Sequence, residues 1–219
     1  VGVDAAIIMN PRVWEASGHV QNFSDPLVEC KKCHQRFRED HLLEARSREP
    51  GYDKEKPTDK GDLKCPECGG TLTGAKQFNL MFKTFVGPTE DSAAAAYLRP
   101  ETAGGIFVNY KNILQTARKK LPFGIAQIGK AFRNEITVEN YIFRVREFEI
   151  AEIEYFVKPG EDEKAFDEWL KNWEEFVLSL GIKKENIKHY EHPKESLSHY
   201  SKRTVDINYN YPFGWKELT

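Results

Sequence analysis

The stretch Phe132-Arg133-Asn134-Glu135, followed by Phe143-Arg144-Val145-Arg146-Glu147-Phe148, decides the fold. Upstream of it, the run Phe123 to Phe132 is apolar, carries Gly124 and Gly129, and reads as a buried strand. Downstream, Tyr141 to Val157 is rich in aromatic and β-branched residues and is too long for an ordinary strand unless it bends. The polar run Asn134 to Asn140 lies between them, so the two are expected to form an antiparallel pair.

Strand side chains alternate between faces. Arg133 and Glu135 would share a face if the first strand runs on. Arg144, Arg146, Phe148, Ile150, Glu152 and Glu154 would share a face of the second, with Phe143, Val145 and Ile153 on the other. Two arginines, a carboxylate and a ring on one floor are what a nucleotide needs: cations for phosphates, an acceptor for an amino group, and a surface for stacking. A row of cross-strand ion pairs, each worth about 0.2–1 kcal/mol, fits the same residue types. Residue types alone leave both readings open.

The spacing of Phe132-Arg133-Asn134-Glu135, Arg144 and Phe148 resembles motif 2 of the class II aminoacyl-tRNA synthetases. The resemblance extends along the chain. Trp14-Glu15-Ala16-Ser17-Gly18-His19, residues 77–82 (QFNLMF), 98–107 (LRPETAGGIF), 146–156 (REFEIAEIEYF) and 211–218 (YPFGWKEL) are similar to segments of the homodimeric glycyl-tRNA synthetases. That likeness implies an α+β fold, an antiparallel sheet flanked by helices. It implies activation of glycine with ATP and Mg²⁺ and transfer of glycine to tRNA(Gly), in a homodimer when the protein is full length. It assigns Arg133, Asn134, Glu135, Phe143, Arg144, Phe148, Glu217 and Leu218 to ATP. It assigns Arg38, Glu101, Arg133, Phe148 and Glu152 to glycine, with Arg133 as the catalytic group. The family glutamine that follows Thr-Ala is replaced by Gly104, which removes a hydrogen-bonding side chain beside the pocket. On residue type alone, Glu101 could equally start a helix, and Glu152 could pair with Arg144 or Arg146.

The four cysteines form two C-x-x-C pairs, Cys30 with Cys33 and Cys65 with Cys68, and Gly69-Gly70 follows the second. Paired knuckles suit a tetrahedral, closed structural Zn²⁺ site. Disulfides or free thiols are the other readings, and an intracellular setting disfavours disulfides. The segment between the knuckles, Arg48 to Asp62, is charged and rich in turn formers, as a protruding loop would be. A zinc insertion of this kind, with Lys31, Lys32, Arg36 and Arg38, could meet tRNA. Solvated side chains explain the same residues.

The 219 residues carry a formal charge of −2, so no overall basic field advertises nucleic acid. The sequence has no long apolar run and no leader pattern at Val1, so membrane insertion is not expected and a cytoplasmic location is. A helix is expected over Thr102 to Leu121, with Ile106, Tyr110, Ile113, Leu114 and Ala117 on one face and Arg118 to Lys120 in its last turn. A second is expected over about Glu163 to Leu180, with an apolar stripe through Phe166, Trp169, Leu170, Trp173, Phe176, Val177 and Leu180, stopped by Gly181. Val205 to Tyr211 alternates as a strand. His19 lies in the Ser-Gly-His segment that resembles the family, which implies a supporting place at the active site, and a plain structural histidine is the commoner reading; His34, His41, His189, His192 and His199 show no partner pattern.

The expected organisation is catalytic core over 1–29, a four-cysteine zinc insertion over 30–76, catalytic core with the motif 2 hairpin over 77–158, a helical insertion over 159–203, and a core strand over 204–219. The pattern stops before the arginine-bearing third motif of the family, so a catalytic-domain piece is expected. Three rivals remain: a non-catalytic synthetase-like module, a class II enzyme for another small amino acid, and a zinc-ribbon nucleic-acid binder.

Overall fold

The computed structural model describes residues 1–47, 63–198 and 200–219. The expected protruding loop Arg48 to Asp62 and His199 lie outside the described residues. The chain divides into two compact units, Val1–Phe156 and Val157–Thr219.

The first unit runs β1 (Ile8–Met9), α1 (Pro11–Ala16), α2 (His19–Asn22), β2 (Ser24–Glu29), β3 (Arg36–Arg38), α3 (Glu39–Ser47), β4 (Lys76–Asn79), β5 (Lys83–Phe85), β6 (Ala95–Leu98), α4 (Ala103–Thr116), β7 (Phe123–Phe132) and β8 (Glu147–Phe156). The second holds α5 (Asp162–Ser179), β9 (Ile187–Glu191), β10 (Val205–Tyr211) and β11 (Gly214–Glu217). The strands pair antiparallel in four small sheets, ordered β1-β6-β5, β3-β2-β4, β7-β8 and β11-β10-β9.

The β7–β8 pair is long and regular, from Phe123 opposite Phe156 to Phe132 opposite Glu147. One face carries Ile125, Gln127 and Ala131, all buried, with Phe148, Ile150, Glu152 and Glu154 half-buried across from them. Helix α4 covers the Phe123 end of this face. Ile106, Phe123 and Ile125 form the core there, packed by Val3, Tyr110, Ile113, Leu114, Leu121 and Phe156. Each such side chain, fully buried, contributes about 1.5–3 kcal/mol.

Three expectations need correction. The second strand starts at Glu147, not Tyr141. Asn140 and Tyr141 take left-handed backbone angles, and Glu139 and Arg144 exchange two 3.1 Å main-chain hydrogen bonds, closing a tight turn. Arg144 and Arg146 therefore precede the strand and do not follow its alternation. The first strand ends at Phe132, and the Glu135 N–H donates to the Arg133 carbonyl at 2.7 Å, so Arg133 and Glu135 are not strand neighbours. Helix α4 stops at Thr116 because Arg118 turns left-handed at φ 48°, which leaves Arg118 to Lys120 beyond its last turn.

In the second unit, α5 ends as expected before Gly181, whose φ of 88° suits a residue without a Cβ. Its buried stripe is narrower than the pattern implied: Val177 is buried, but Phe176 and Leu180 are exposed. Strand β10 spans Val205–Tyr211 and buries Ile207 against the unit.

Candidate active site

The segment between β6 and α4 is fixed residue by residue. Arg99 is buried, donating from Nε to the Lys130 carbonyl at 2.7 Å and from Nη1 to the Ala5 carbonyl at 2.6 Å. Gly129 permits this, since a Cβ there would lie 2.6 Å from Arg99 Nη2. The next residue, Pro100, accepts a hydrogen bond from Arg133 Nε at 3.2 Å.

Arg133 leaves the end of β7 and is held by its own N–H, which donates to the Arg146 carbonyl at 3.0 Å. Its guanidinium lies over two rings, 5.5 Å from the Phe23 centroid and 5.4 Å from that of Phe148. Glu135 is buried beside it. Arg144 Nη1 is 3.4 Å from Glu135 Oε2, and Arg146 Nε donates to the Glu135 carbonyl at 3.0 Å. Asn134 is anchored by its N–H to the Leu80 carbonyl. The structure thus gathers Arg133, Glu135, Arg144 and Phe148, although the strand register that linked them in sequence is absent. Phe143 sits half-buried in the same turn.

Arg38, at the end of β3, joins this cluster. It contacts Asp25 at 2.7 Å and donates to Asp40 at 3.1 and 2.7 Å. The Asp25 contact is short but off the line of a hydrogen bond, which leaves Asp25 Oδ2 buried with none. Burial pushes the Asp25 carboxyl above its usual range, Arg38 pulls against it, and Glu135 adds to the rise.

Glu101 and Glu152 flank the start of α4. Glu152 Oε2 accepts from the Thr102 N–H at 2.5 Å, from the Ala103 N–H at 3.1 Å, and from the Thr102 hydroxyl. It is therefore the cap of α4, supplied from a strand fifty positions away, and pairs with neither Arg144 nor Arg146. Glu101 does not cap this helix. Its Oε2 lies 3.4 Å from His19 Nε2, while His19 Nδ1 is 2.8 Å from the Ser17 hydroxyl. Glu154 is raised above the usual carboxyl range by burial, with Glu152 and Glu101 adding to the rise. Gly104 fits closely too: a Cβ there would meet the Trp14 ring at 2.9 Å.

The sulfurs of Cys30, Cys33, Cys65 and Cys68 all lie within 4.8 Å of one another. The Cys33 N–H, with that of Lys32, points at the Cys30 sulfur and brings its thiol down to about 6. Against the lowering Gln35 N–H, burial and the neighbouring sulfurs push Cys33 up to about 12. Gly70 closes on the cluster, where a Cβ would meet Cys30 Sγ at 3.0 Å and Cys68 Sγ at 3.2 Å. Four convergent sulfurs with backbone N–H groups turned toward them fit a tetrahedral soft-metal site.

Glu217 and Leu218 belong to the second unit. Glu217 ends β11 opposite Asn208, and the Leu218 N–H donates to the Ile207 carbonyl at 2.8 Å.

Two contributors escaped the sequence reading. Phe23 is the second ring under Arg133, and Asp25 is the buried partner of Arg38. His19, which its Ser-Gly-His segment offered as a support of the site, faces Glu101. The signal available for the first two was the Phe23–Asp25–Leu27 alternation leading into a strand. It marks a face but not what the face meets.

The family model for the tRNA synthetase class II core domain (G, H, P, S and T) matches residues 84–213. The glycine–tRNA ligase of Geobacillus kaustophilus (strain HTA426) is 56% identical over 229 aligned positions, covering 100% of this chain and 50% of the relative. That of Treponema denticola is 55% identical, over 100% of this chain and 46% of the relative, and that of Streptomyces coelicolor 55%, over 100% and 48%. The chain thus spans about half the length of the curated relatives it matches. Among solved structures, the RNA binding domain of threonyl-tRNA synthetase from Cryptosporidium parvum Iowa II superposes with a TM-score of 0.51 at 18% identity, over 90% of this chain and 34% of that one, a likeness of fold. With more than half of its residues matched by the family model, and with relatives above 50% identity along its whole length, the chain belongs to the class II tRNA synthetase core-domain family.

Proposed function

We propose that the chain is the glycine-activating part of a glycine–tRNA ligase, which converts glycine and ATP to glycyl-adenylate and pyrophosphate and passes glycine to the 3′ end of tRNA(Gly). The observation that carries this reading is Arg133 over the Phe23 and Phe148 rings, with Glu135 and Arg144 paired in the turn that follows and Glu101 and Glu152 at the start of the helix after Pro100, which Arg133 touches. The relatives named glycine–tRNA ligase support the choice of amino acid.

In the first step a glycine carboxylate oxygen attacks the α-phosphorus of ATP, and the bond to the β-phosphate bridging oxygen breaks with release of pyrophosphate. In the second, a terminal ribose hydroxyl of tRNA attacks the glycyl carbonyl and AMP leaves. No protein nucleophile is needed for the first step, which depends on alignment and charge stabilisation. Arg133 carries a fixed cation to the α-phosphate and the glycine carboxylate. Glu135 offers an acceptor for the adenine amino group, Phe148 a stacking face, and Arg144 a cation for the γ-phosphate, with Asn134 and Phe143 shaping the turn. Glu101 and Glu152 receive the α-ammonium, and Arg38 closes the substrate side. A side chain on the amino acid would meet these packed carboxylates. One methylene is discriminated by about 1–3 kcal/mol in an apolar pocket, and rigid charged walls add to that. The family resemblance assigns Glu217 and Leu218 to ATP as well, and Mg²⁺ bound with ATP would supply charge neutralisation to the phosphates. A zinc ion held by Cys30, Cys33, Cys65 and Cys68 supplies structure, because four thiolates leave no open position. The longer protein works as a homodimer in the cytoplasm. Among the described residues no helix is long and apolar enough to cross a membrane.

Replacing Arg133 with alanine should reduce glycine-dependent pyrophosphate exchange by at least about 10²-fold, the loss typical of one preorganised charge-stabilising group. Exchange at the normal rate in a folded variant refutes the assignment.

A further inference from the structure

The four-cysteine cluster is tied to the turn that carries Glu135 and Arg144, and the tie runs through seven consecutive residues. The Cys30 N–H donates to the Gln35 carbonyl at 2.8 Å, which closes the knuckle onto the start of β3. Strand β3 is only three residues long and pairs with Leu27–Glu29 of β2. Its first residue, Arg36, accepts at its carbonyl from the Thr137 hydroxyl at 3.4 Å. Its last, Arg38, contacts Asp25 and lies within electrostatic reach of Glu135. Three positions on, His41 Nδ1 is 3.2 Å from Glu139 Oε1, and Glu139 is the residue that closes the turn with Arg144. A strand this short makes few ladder hydrogen bonds of its own, so what fixes its ends contributes to holding its position.

We infer that metal at the four cysteines braces the 133–146 turn, with the Arg36 carbonyl and His41 as the positioning residues that transmit it. This rests on the nucleotide reading of that turn. With the knuckle loaded, β3 is held and the turn is held in the form that presents Glu135 and Arg144. With the knuckle open, β3 loses its anchored end, Thr137 and Glu139 lose their partners, and ATP must bear the ordering of the turn as it binds.

The test is calorimetric titration of the full-length protein with Mg·ATP, in three states: zinc-loaded, stripped with a zinc-selective chelator that is then dialysed away, and reloaded. Circular dichroism confirms that the stripped protein remains folded. Stripping should weaken ATP binding by roughly 5–50-fold, within the usual span of coupling between sites, and reloading should restore it. Coupling is reciprocal, so saturating ATP should tighten zinc binding by the same factor. Hydrogen exchange at the Glu139 and Arg144 amides should quicken on stripping. The double variant Thr137→Val, His41→Ala should still bind one zinc per chain but show ATP affinity indifferent to it. Equal ATP affinity in loaded and stripped protein overturns the brace alone. No ATP binding in the loaded protein overturns the nucleotide reading together with the brace, and failure to retain zinc overturns the metal premise.

Discussion

Glu152 is proposed to receive the glycine ammonium, yet one of its oxygens already holds the start of α4. Replacing Glu152 with alanine should therefore destabilise the first unit as well as abolish glycine binding. The cap consists of two backbone N–H groups, at 2.5 and 3.1 Å, and the Thr102 hydroxyl, all on Oε2. Losing a capping side chain costs about 0.5–2 kcal/mol, and hydrogen bonds to a charged acceptor contribute about 1.5–3 kcal/mol each. Thr102 is fully buried, but truncation to alanine leaves room for water beside it, and that water replaces part of the loss. The expected loss is about 2–3 kcal/mol, which for a urea slope of about 1–3 kcal/mol per molar moves the unfolding midpoint down by roughly 1 M. Glu152→Gln keeps a neutral acceptor at the same reach and should lose less than about 1 kcal/mol, while still impairing glycine binding through the missing charge. Urea unfolding of the two variants, followed by exchange of the α4 amides as well as by fluorescence, separates the two roles. If Glu152→Ala unfolds at the wild-type midpoint, the cap contributes nothing and the reasoning fails.

Two further outcomes follow from close contacts around the same helix. Gly104→Gln, which restores the family residue, should lower thermal stability by about 1–3 kcal/mol, because the new Cβ meets the Trp14 ring at 2.9 Å and the ring is fully buried; a calorimetric scan that shows no change refutes this. Burial, with Glu152 and Glu101, raises the native Glu154 carboxyl above its ordinary value of 4.5, so the native state holds its proton more tightly than the unfolded chain. Stability from this group is present below pH 4.5 and is lost as the pH climbs through the raised native value. Glu154→Gln should flatten the fall in that window and unfold later than wild type at pH 7, and urea midpoints with an unchanged pH slope count against it.

The elements with a clean period were legible in the sequence. The β7 run, the α5 stripe and the alternation of Val205 to Tyr211 each repeat one backbone geometry, and periodicity reports that geometry. The misreadings sit where the chain leaves a repeat. Asn140 and Tyr141 turn left-handed in a run that is otherwise aromatic and β-branched, and composition alone extended β8 through them. Arg118 ends α4 in the same way, short of the Leu121 to which its apolar face extended the expectation. In the site, the resemblance identified Arg133, Glu135, Arg144, Phe148, Glu101 and Glu152 as a set, and the structure brings them to one region. What pairs with each was not legible. Glu152 with Thr102, His19 with Glu101 and Arg38 with Asp25 join residues on separate elements, and no local pattern encodes which elements meet.

The four residues Arg99 to Thr102 each attach to a different distant part of the chain. Arg99 reaches Ala5 and Lys130, Pro100 holds Arg133, Glu101 faces His19, and Thr102 receives Glu152. Substituting Arg99 or Glu101 removes only what that side chain holds, while the Pro100 carbonyl and the Thr102 N–H attach through the main chain. A single inserted or deleted residue would break all of them at once, because every side chain after the change would rotate away from its partner. This stretch is a fixed-length joint, and across relatives its spacing should tolerate no gap even where individual side chains vary. The glycine at 104, where the family resemblance implies a glutamine, keeps the count and is the kind of variation such a joint permits.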